Sequence, residues 1–343
     1  MMHAEWFKNG LDVMSTEHGW MPVRFTDEQL RGYDVHEGIR IRSRCASGVM
    51  LDIVTDSDFI EIEYTAGEFA RNWLYFDVYI DGIYISSNGQ EPIEQKNGLF
   101  RCSLKSIPAY ENAYRFNASG KIIDGTSSEH KRRVIIYLPH LVVLFIRQIR
   151  FSERASVVPA PTATGNLLCL GDSITQGMDA RRPSSAYPVQ LSRFLGMNLL
   201  NHGVGGHIFD ASSLDPDLPY KPDLITVAYG TNDWMTHERL SELQQKCDEF
   251  LGKLSDMYPA SQIVLLSPIW RQDADQAKPM GSFADMTRAI VEVAQGFPRI
   301  SLIDGMSLVP PQPKFFGDGR IHPNEEGFLF MTQGILKHIC SYK

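Results

Sequence analysis

The sequence is poor in cysteine, has no long apolar run and carries no surplus of basic residues. Its five cysteines, Cys45, Cys102, Cys169, Cys247 and Cys340, are scattered and form no Cys-x-x-Cys pair. That spacing excludes a thiolate metal site, and an odd, dispersed set argues against a disulfide framework. Free thiols in a reducing cytoplasm are the expectation. The longest nearly apolar run, Val134–Ile146, is interrupted by Pro139-His140. It falls short of the roughly 20 residues that a membrane helix needs, so no span is expected. Met1–Trp20 mixes Glu5, Lys8, Asp12 and Glu17 with its apolar residues and lacks the apolar core of a secretory signal. Without secretion the sequon Asn117-Ala118-Ser119 carries little meaning. Forty-one acidic against 33 basic residues leave a net charge of −8. Such a chain has no electrostatic footprint for phosphate backbones, so nucleic acid is not an expected partner.

What is there is ordinary globular material, 43% hydrophobic and 22% charged, and 343 residues suffice for about two domains. The first half reads as strands. Ile60, Ile62 and Tyr64 alternate with Glu61 and Glu63, which gives one apolar face at period two. Trp73–Ile80 and Ile83–Ile85 flank Asp81-Gly82, a dipeptide suited to a tight hairpin turn. Val134–Leu138 and Leu141–Ile149 are two further β-rich runs. No long helical period appears, and a β-sandwich of jelly-roll type over residues 1–154 is expected. Residues 155–165 are uncharged and contain Pro159 and Pro161, which predicts a short, stiff linker. A short linker in turn predicts that the two halves pack against each other.

From residue 166 to 343 the pattern changes. Leu167–Leu170, Leu224–Ala228 and Ile263–Leu266 are short apolar runs ending in polar residues or glycine. Leu240, Leu243, Cys247, Phe250, Leu251 and Leu254 recur at helical spacing, as do Phe283, Met286, Ile290 and Val293. Gly327–Ile339 is a candidate closing helix. Strands alternating with helices imply an α/β domain with a parallel sheet covered on both faces.

Ligands bind beyond the carboxyl ends of the strands in such sheets. Gly171-Asp172-Ser173-Ile174-Thr175 follows the first run. Alone, it reads as a turn with a helix N-cap. It has company: Asn201-His202-Gly203-Val204-Gly205-Gly206 follows Met197–Leu200, Gly230-Thr231-Asn232-Asp233 follows Leu224–Ala228, and His322-Pro323-Asn324 comes near the end. A nucleophilic serine needs a base for its proton and donors for the oxyanion that develops on the attacked carbonyl. These segments supply both.

The four blocks, in this order, resemble those of the SGNH (GDSL-type) hydrolase family, over roughly Asn166 to the C-terminus. The resemblance implies a three-layer α/β fold with Ser173 as nucleophile and His322 as general base. It also implies an oxyanion hole from the Ser173 and Gly206 backbone N–H groups and the Asn232 side chain. No metal and no cofactor is implied. The family places its acid three residues before the histidine, where this sequence has Gly319. Asp318 lies four before, and it can orient the imidazole if the loop bulges. A backbone carbonyl, hence a Ser–His dyad, is the rival, and Asp304 is a poorer candidate. His202 and His207 are read as structural. Trp234, Trp270 and Arg271 are expected near the active edge, where an aromatic face can stack on a sugar and arginine can grip polar groups; simple packing is the equal alternative. Lys131-Arg132-Arg133 is read as a solvated strand end.

A β-sandwich ahead of such a domain, with the segment Val134–Pro139, resembles two-domain carbohydrate esterases of the acetylxylan esterase kind. This implies a serine esterase (a carboxylic ester hydrolase) that removes acetyl groups from a small substrate such as an oligosaccharide. A lysophospholipase or thioesterase on the same machinery is the alternative. A glycan-binding protein without activity is another, against which Ser173, Gly206, Asn232 and His322 speak. The sandwich could also mediate self-association into a homo-oligomer.

Overall fold

The computed structural model describes residues 3–105, 115–116, 122–123 and 131–341; the sequon at Asn117 lies outside the described residues. The amino-terminal half contains two antiparallel sheets. One runs in the order Phe7–Lys8, Met50–Thr55, Arg132–Tyr137, Leu74–Ile80, Ile83–Gln90. The other runs Asp12–Thr16, Gly19–Val23, Val142–Phe151, Phe59–Phe69, Asn97–Ser103. Their inner faces share one core, with Leu51, Ile53, Val78 and Ile136 from the first sheet against Ile60, Ile62, Tyr64, Phe100 and Leu144 from the second. The period-two pattern has this cause: Ile60, Ile62 and Tyr64 point inward, while Glu61 and Glu63 pair with Arg150 and Arg147 on the outer face. Asp81-Gly82 joins two strands with both residues at positive φ, as a tight hairpin demands.

Two features depart from an all-strand reading. Helices Asp27–Tyr33 and Glu37–Arg44 sit between the strands. Seven and eight residues are too few to show a helical period, although Thr26 and Gln29 form a capping box at the first. Within the expected linker, Val157–Pro159 is a strand paired with Ile53–Thr55, so the segment is anchored to the sandwich.

The carboxyl-terminal half is a three-layer α/β domain. Its five strands are all parallel, in the order Met197–Gly203, Gly165–Gly171, Leu224–Ala228, Gln262–Leu266, Ile300–Ile303. Helices Leu240–Met257 and Phe283–Gln295 cover one face through Leu243, Cys247, Phe250, Met286 and Ile290. Helices Tyr187–Leu195 and Glu325–Ser341 cover the other. The strand order reverses at Gly165–Gly171, which opens a crevice beyond the carboxyl ends of that strand and Leu224–Ala228. None of the described helices is long and apolar enough to cross a membrane.

The two halves interlock. Arg24, 1% exposed, leaves the sandwich and donates to the carbonyls of Asn201 and Gly203 on one side and of Arg42, Ser43 and Cys45 on the other. Tyr79 bonds Arg193 and Ser184, Asp77 accepts the Ser184 N–H, and buried His140 meets the Gly177 carbonyl at 3.0 Å. Lys131-Arg132-Arg133 lies at the start of the strand Arg132–Tyr137, where Arg132 pairs with Asp81 and Arg133 with Asp52.

Candidate active site

Ser173 opens the short helix that follows Gly165–Gly171. Asp172 caps that helix by accepting the Ile174 N–H. This turn puts the Ser173 hydroxyl at the sheet edge, where it lies 2.9 Å from His322 Nε2. His322 Nδ1 is 2.7 Å from Asp318 Oδ2. The extra residue between Asp318 and His322 is absorbed by the loop. Gly319 takes φ 68°, and Asp318 Oδ1 accepts the N–H groups of Arg320, Ile321 and His322. The loop is closed by a Gly317 N–H to His322 carbonyl bond of 2.8 Å. Asp304 is elsewhere, capping the turn at Met306.

A second carboxylate, not singled out in the sequence, stands beside the imidazole. Asp179 Oδ2 is 3.5 Å from His322 Nδ1. Its other oxygen is held at 2.6 Å by Arg71, which reaches in from the sandwich. Asp179 lies six residues after Ser173 and could have been suspected. Arg71 could not, because its partner is 108 residues away in sequence.

Burial alone would lower the His322 pKa, but the hydrogen bonds and charges of Asp179 and Asp318 outweigh it and raise the imidazole above its ordinary range. For both carboxylates burial works upward; the proton from His322 on each, Arg71 on Asp179 and backbone N–H groups on Asp318 win and hold them below the ordinary carboxylate range. Asp172 shows the reverse. Fully buried, it is pushed up to about 7.

The Ser173 and Gly206 N–H groups have no partner among the described residues' hydrogen bonds, and Gly206 is exposed. One of these N–H groups belongs to the serine itself and the other to the loop after the adjacent strand Met197–Gly203; free donors of this kind can receive a developing oxyanion. The neighbouring Gly205 N–H is taken by Gln176 Oε1. The Asn232 amide donates to the His207 carbonyl at 3.0 Å, and it faces Asp172 Oδ2 at 3.4 Å. One firm bond fixes its position and leaves its second hydrogen in a long contact.

The structure does not bring Trp234 or Arg271 to a substrate surface. Trp234 is 1% exposed; it donates to the Gly281 carbonyl and packs on Phe283. Arg271 is buried in a two-point ion pair with Asp273 and lies over the Trp234 ring. A buried cation is costly unless paired, which is why these side chains turn inward together. Trp270 is half-buried against Phe316, next to the histidine loop. His202 is stacked on Phe25 and bonded to the Arg24 carbonyl, and burial lowers it to about 3. His207 is buried beside Tyr33.

Asp179, Asp318 and His322 offer ligand atoms within 4.8 Å of one another. A cation there would have to displace the proton on Nδ1 and compete with the Arg71 guanidinium, so the donor set suits orienting an imidazole better than holding a metal.

Residues 169–328 match the family model of GDSL-like lipases/acylhydrolases. The match lies within the carboxyl-terminal α/β domain, which an antiparallel sandwich precedes. No curated protein matches the chain in sequence. Among solved structures, a salicylyl-acyltransferase from a tetracycline biosynthetic pathway is similar at TM-score 0.77 and 20% identity, covering 98% of this chain and 94% of its own. An acetyl xylan esterase of the rumen bacterium Butyrivibrio proteoclasticus is similar at 0.61 and 14%, covering 99% and 97%. A family two carbohydrate esterase of Cellvibrio japonicus is similar at 0.60 and 18%, covering 87% and 89%.

Proposed function

We propose that the protein is a serine esterase that removes acetyl groups from a small carbohydrate ester through an acyl-enzyme. The observation that carries this is the unbroken line from Ser173 Oγ through His322 to Asp318, at 2.9 and 2.7 Å, with the Ser173 and Gly206 N–H groups left free. Ser173 attacks the ester carbonyl as His322 Nε2 takes its proton. The N–H groups of Ser173 and Gly206, joined by the Asn232 amide, hold the oxyanion. The alcohol leaves with the proton from Nε2. Water, deprotonated at the same nitrogen, then attacks the acyl-enzyme and releases acetate. Asp318 keeps Nδ1 protonated and steadies the imidazolium. The neighbours named for acetyl xylan and other carbohydrate esters support a sugar substrate, with Trp270 as a candidate wall of the site. Five free thiols suit a reducing, cytoplasmic setting.

The test is acetate release from a panel of acetylated oligosaccharides, with Ser173→Ala as control. A serine-reactive phosphonate should also add its mass to the peptide containing Ser173. Labelling elsewhere in an active sample, or acetate release that survives Ser173→Ala, would sink the assignment. The likeness to an acyltransferase gives a second reading, in which an alcohol rather than water discharges the acyl-enzyme. Transacetylation outrunning acetate release at modest acceptor concentration would favour it.

A further inference from the structure

The sandwich helix Glu37–Arg44 ends against the loop that carries Gly206. Arg42, in its last turn, donates Nη1 to the Gly205 carbonyl at 3.0 Å. The same nitrogen lies 3.0 Å from the point where a Cβ on Gly206 would stand. A guanidinium therefore stands directly beside Gly205 and Gly206, on the exposed loop that carries the candidate oxyanion donor. The Gly205 bond uses one of the five N–H donors of the guanidinium.

Its neighbours are paired. Arg40 has Glu68, Arg44 has Asp34, and Arg71 has Asp179. Arg42 has no carboxylate partner among the described residues, although it is half-buried. Burial and the like charge of Arg71 both weaken its hold on its proton. A place near a helix C-terminus favours a cation, but it leaves most of the fork unused. A partly desolvated cation beside a second cation is costly, and a docking anion recovers that cost.

We propose that Arg42 binds a carboxylate carried on the alcohol part of the substrate, so that the esterase prefers acetylated sugar acids to neutral acetylated sugars. The planar fork suits a carboxylate, which it can grip through two parallel hydrogen bonds. Glycine at 206 keeps the approach open, since a side chain there would crowd Nη1. This inference rests on the esterase reading above.

The experiment compares kcat/KM on monoacetylated methyl glucuronoside with that on methyl glucoside acetylated at the same position. The wild type should prefer the acid by roughly 10- to 100-fold at low salt, the range of a charge-assisted contact. The preference should shrink as salt screens it. Arg42→Gln should lose most of it, mainly through a higher KM, and Arg42→Lys should keep part of it. Equal kcat/KM for the two sugars in an active wild type overturns the proposal and leaves the esterase standing. An equal loss on both sugars in Arg42→Gln overturns it too, and would put Arg42 on the oxyanion instead. No acetate from either sugar, nor from p-nitrophenyl acetate, overturns the esterase reading itself and this inference with it. Should Arg42→Gln fail to fold, the wild-type preference, its salt dependence and Arg42→Lys still decide.

Discussion

Replacing Asp318 by asparagine tests the catalytic line at its least regular link. The substitution keeps size and shape, so its effect depends on which way the new amide turns. Asp318 Oδ1 accepts three backbone N–H groups, from Arg320 and Ile321 at 2.8 Å and from His322 at 3.2 Å. An amide nitrogen in that position would face three donors. The asparagine oxygen must therefore stay there, and its NH2 must face His322 Nδ1, where Oδ2 now lies at 2.7 Å. A donor facing Nδ1 makes that nitrogen the acceptor, so the ring proton moves to Nε2. A protonated Nε2 cannot take the Ser173 proton across the 2.9 Å contact. The expected loss in kcat is on the order of 10³ to 10⁴, the size seen when a triad histidine is held in the wrong tautomer. Asp318→Ala should lose less, because Asp179, 3.5 Å away, can then accept Nδ1–H, with only the Arg71 guanidinium, also at 3.5 Å, as a competing donor. The assay is kcat on p-nitrophenyl acetate, with a thermal melt to show that the loop has survived. If Asp318→Asn stays within tenfold of the wild type, the Asp318 carboxylate does not orient the imidazole, and a Ser–His pair steadied by Asp179 or by nothing at all is at work.

Four further outcomes are expected. His322 must be neutral to act as base, and its pKa is raised, so kcat/KM should be full at high pH and fall as pH drops through a value above 6.5. Asp179→Asn removes one of the groups that raise it and should move that acid limb to lower pH; an unmoved limb would rule out the Asp179 contribution. Asn232→Ala should lower kcat by roughly 10² to 10³ with a smaller change in KM, and a mutant within a few-fold of the wild type would remove Asn232 from the oxyanion hole. Arg24→Met leaves five inter-element carbonyls without their donor and should cost at least about 3 kcal/mol, read as a lower urea midpoint at unchanged slope; a loss under about 1 kcal/mol would refute its role as the clamp between the halves.

Much of this protein is legible from residue order alone. Period-two alternation at Ile60–Tyr64 and the short runs at Leu167, Leu224 and Ile263 are local signals, and the strands appear where they predict. The blocks around Ser173, Gly206 and Asn232 follow strand ends, and the resemblance of the four blocks to the SGNH family is what singled out these residues and His322. A parallel sheet brings all its strand ends to one edge, so the topology follows from the alternation of elements. Asp318 was half legible: the carboxylate is visible at the right distance from the histidine, but whether four residues can do the work of three depended on the turn that Gly319 and the Asp318 side chain build together. What the residue order could not reach is everything supplied across the interface. Arg42 and Arg71 lie 163 and 108 residues from their partners Gly205 and Asp179, and nothing near them in sequence marks them as neighbours of the candidate site. The choice left open for Trp234 and Arg271 has the same origin. Both follow strands of the parallel sheet, and an arginine that finds Asp273 and an indole inside the fold turns away from solvent. Local pattern decides which backbone goes where; the direction a side chain takes is a contest between partners that only the folded chain brings within reach.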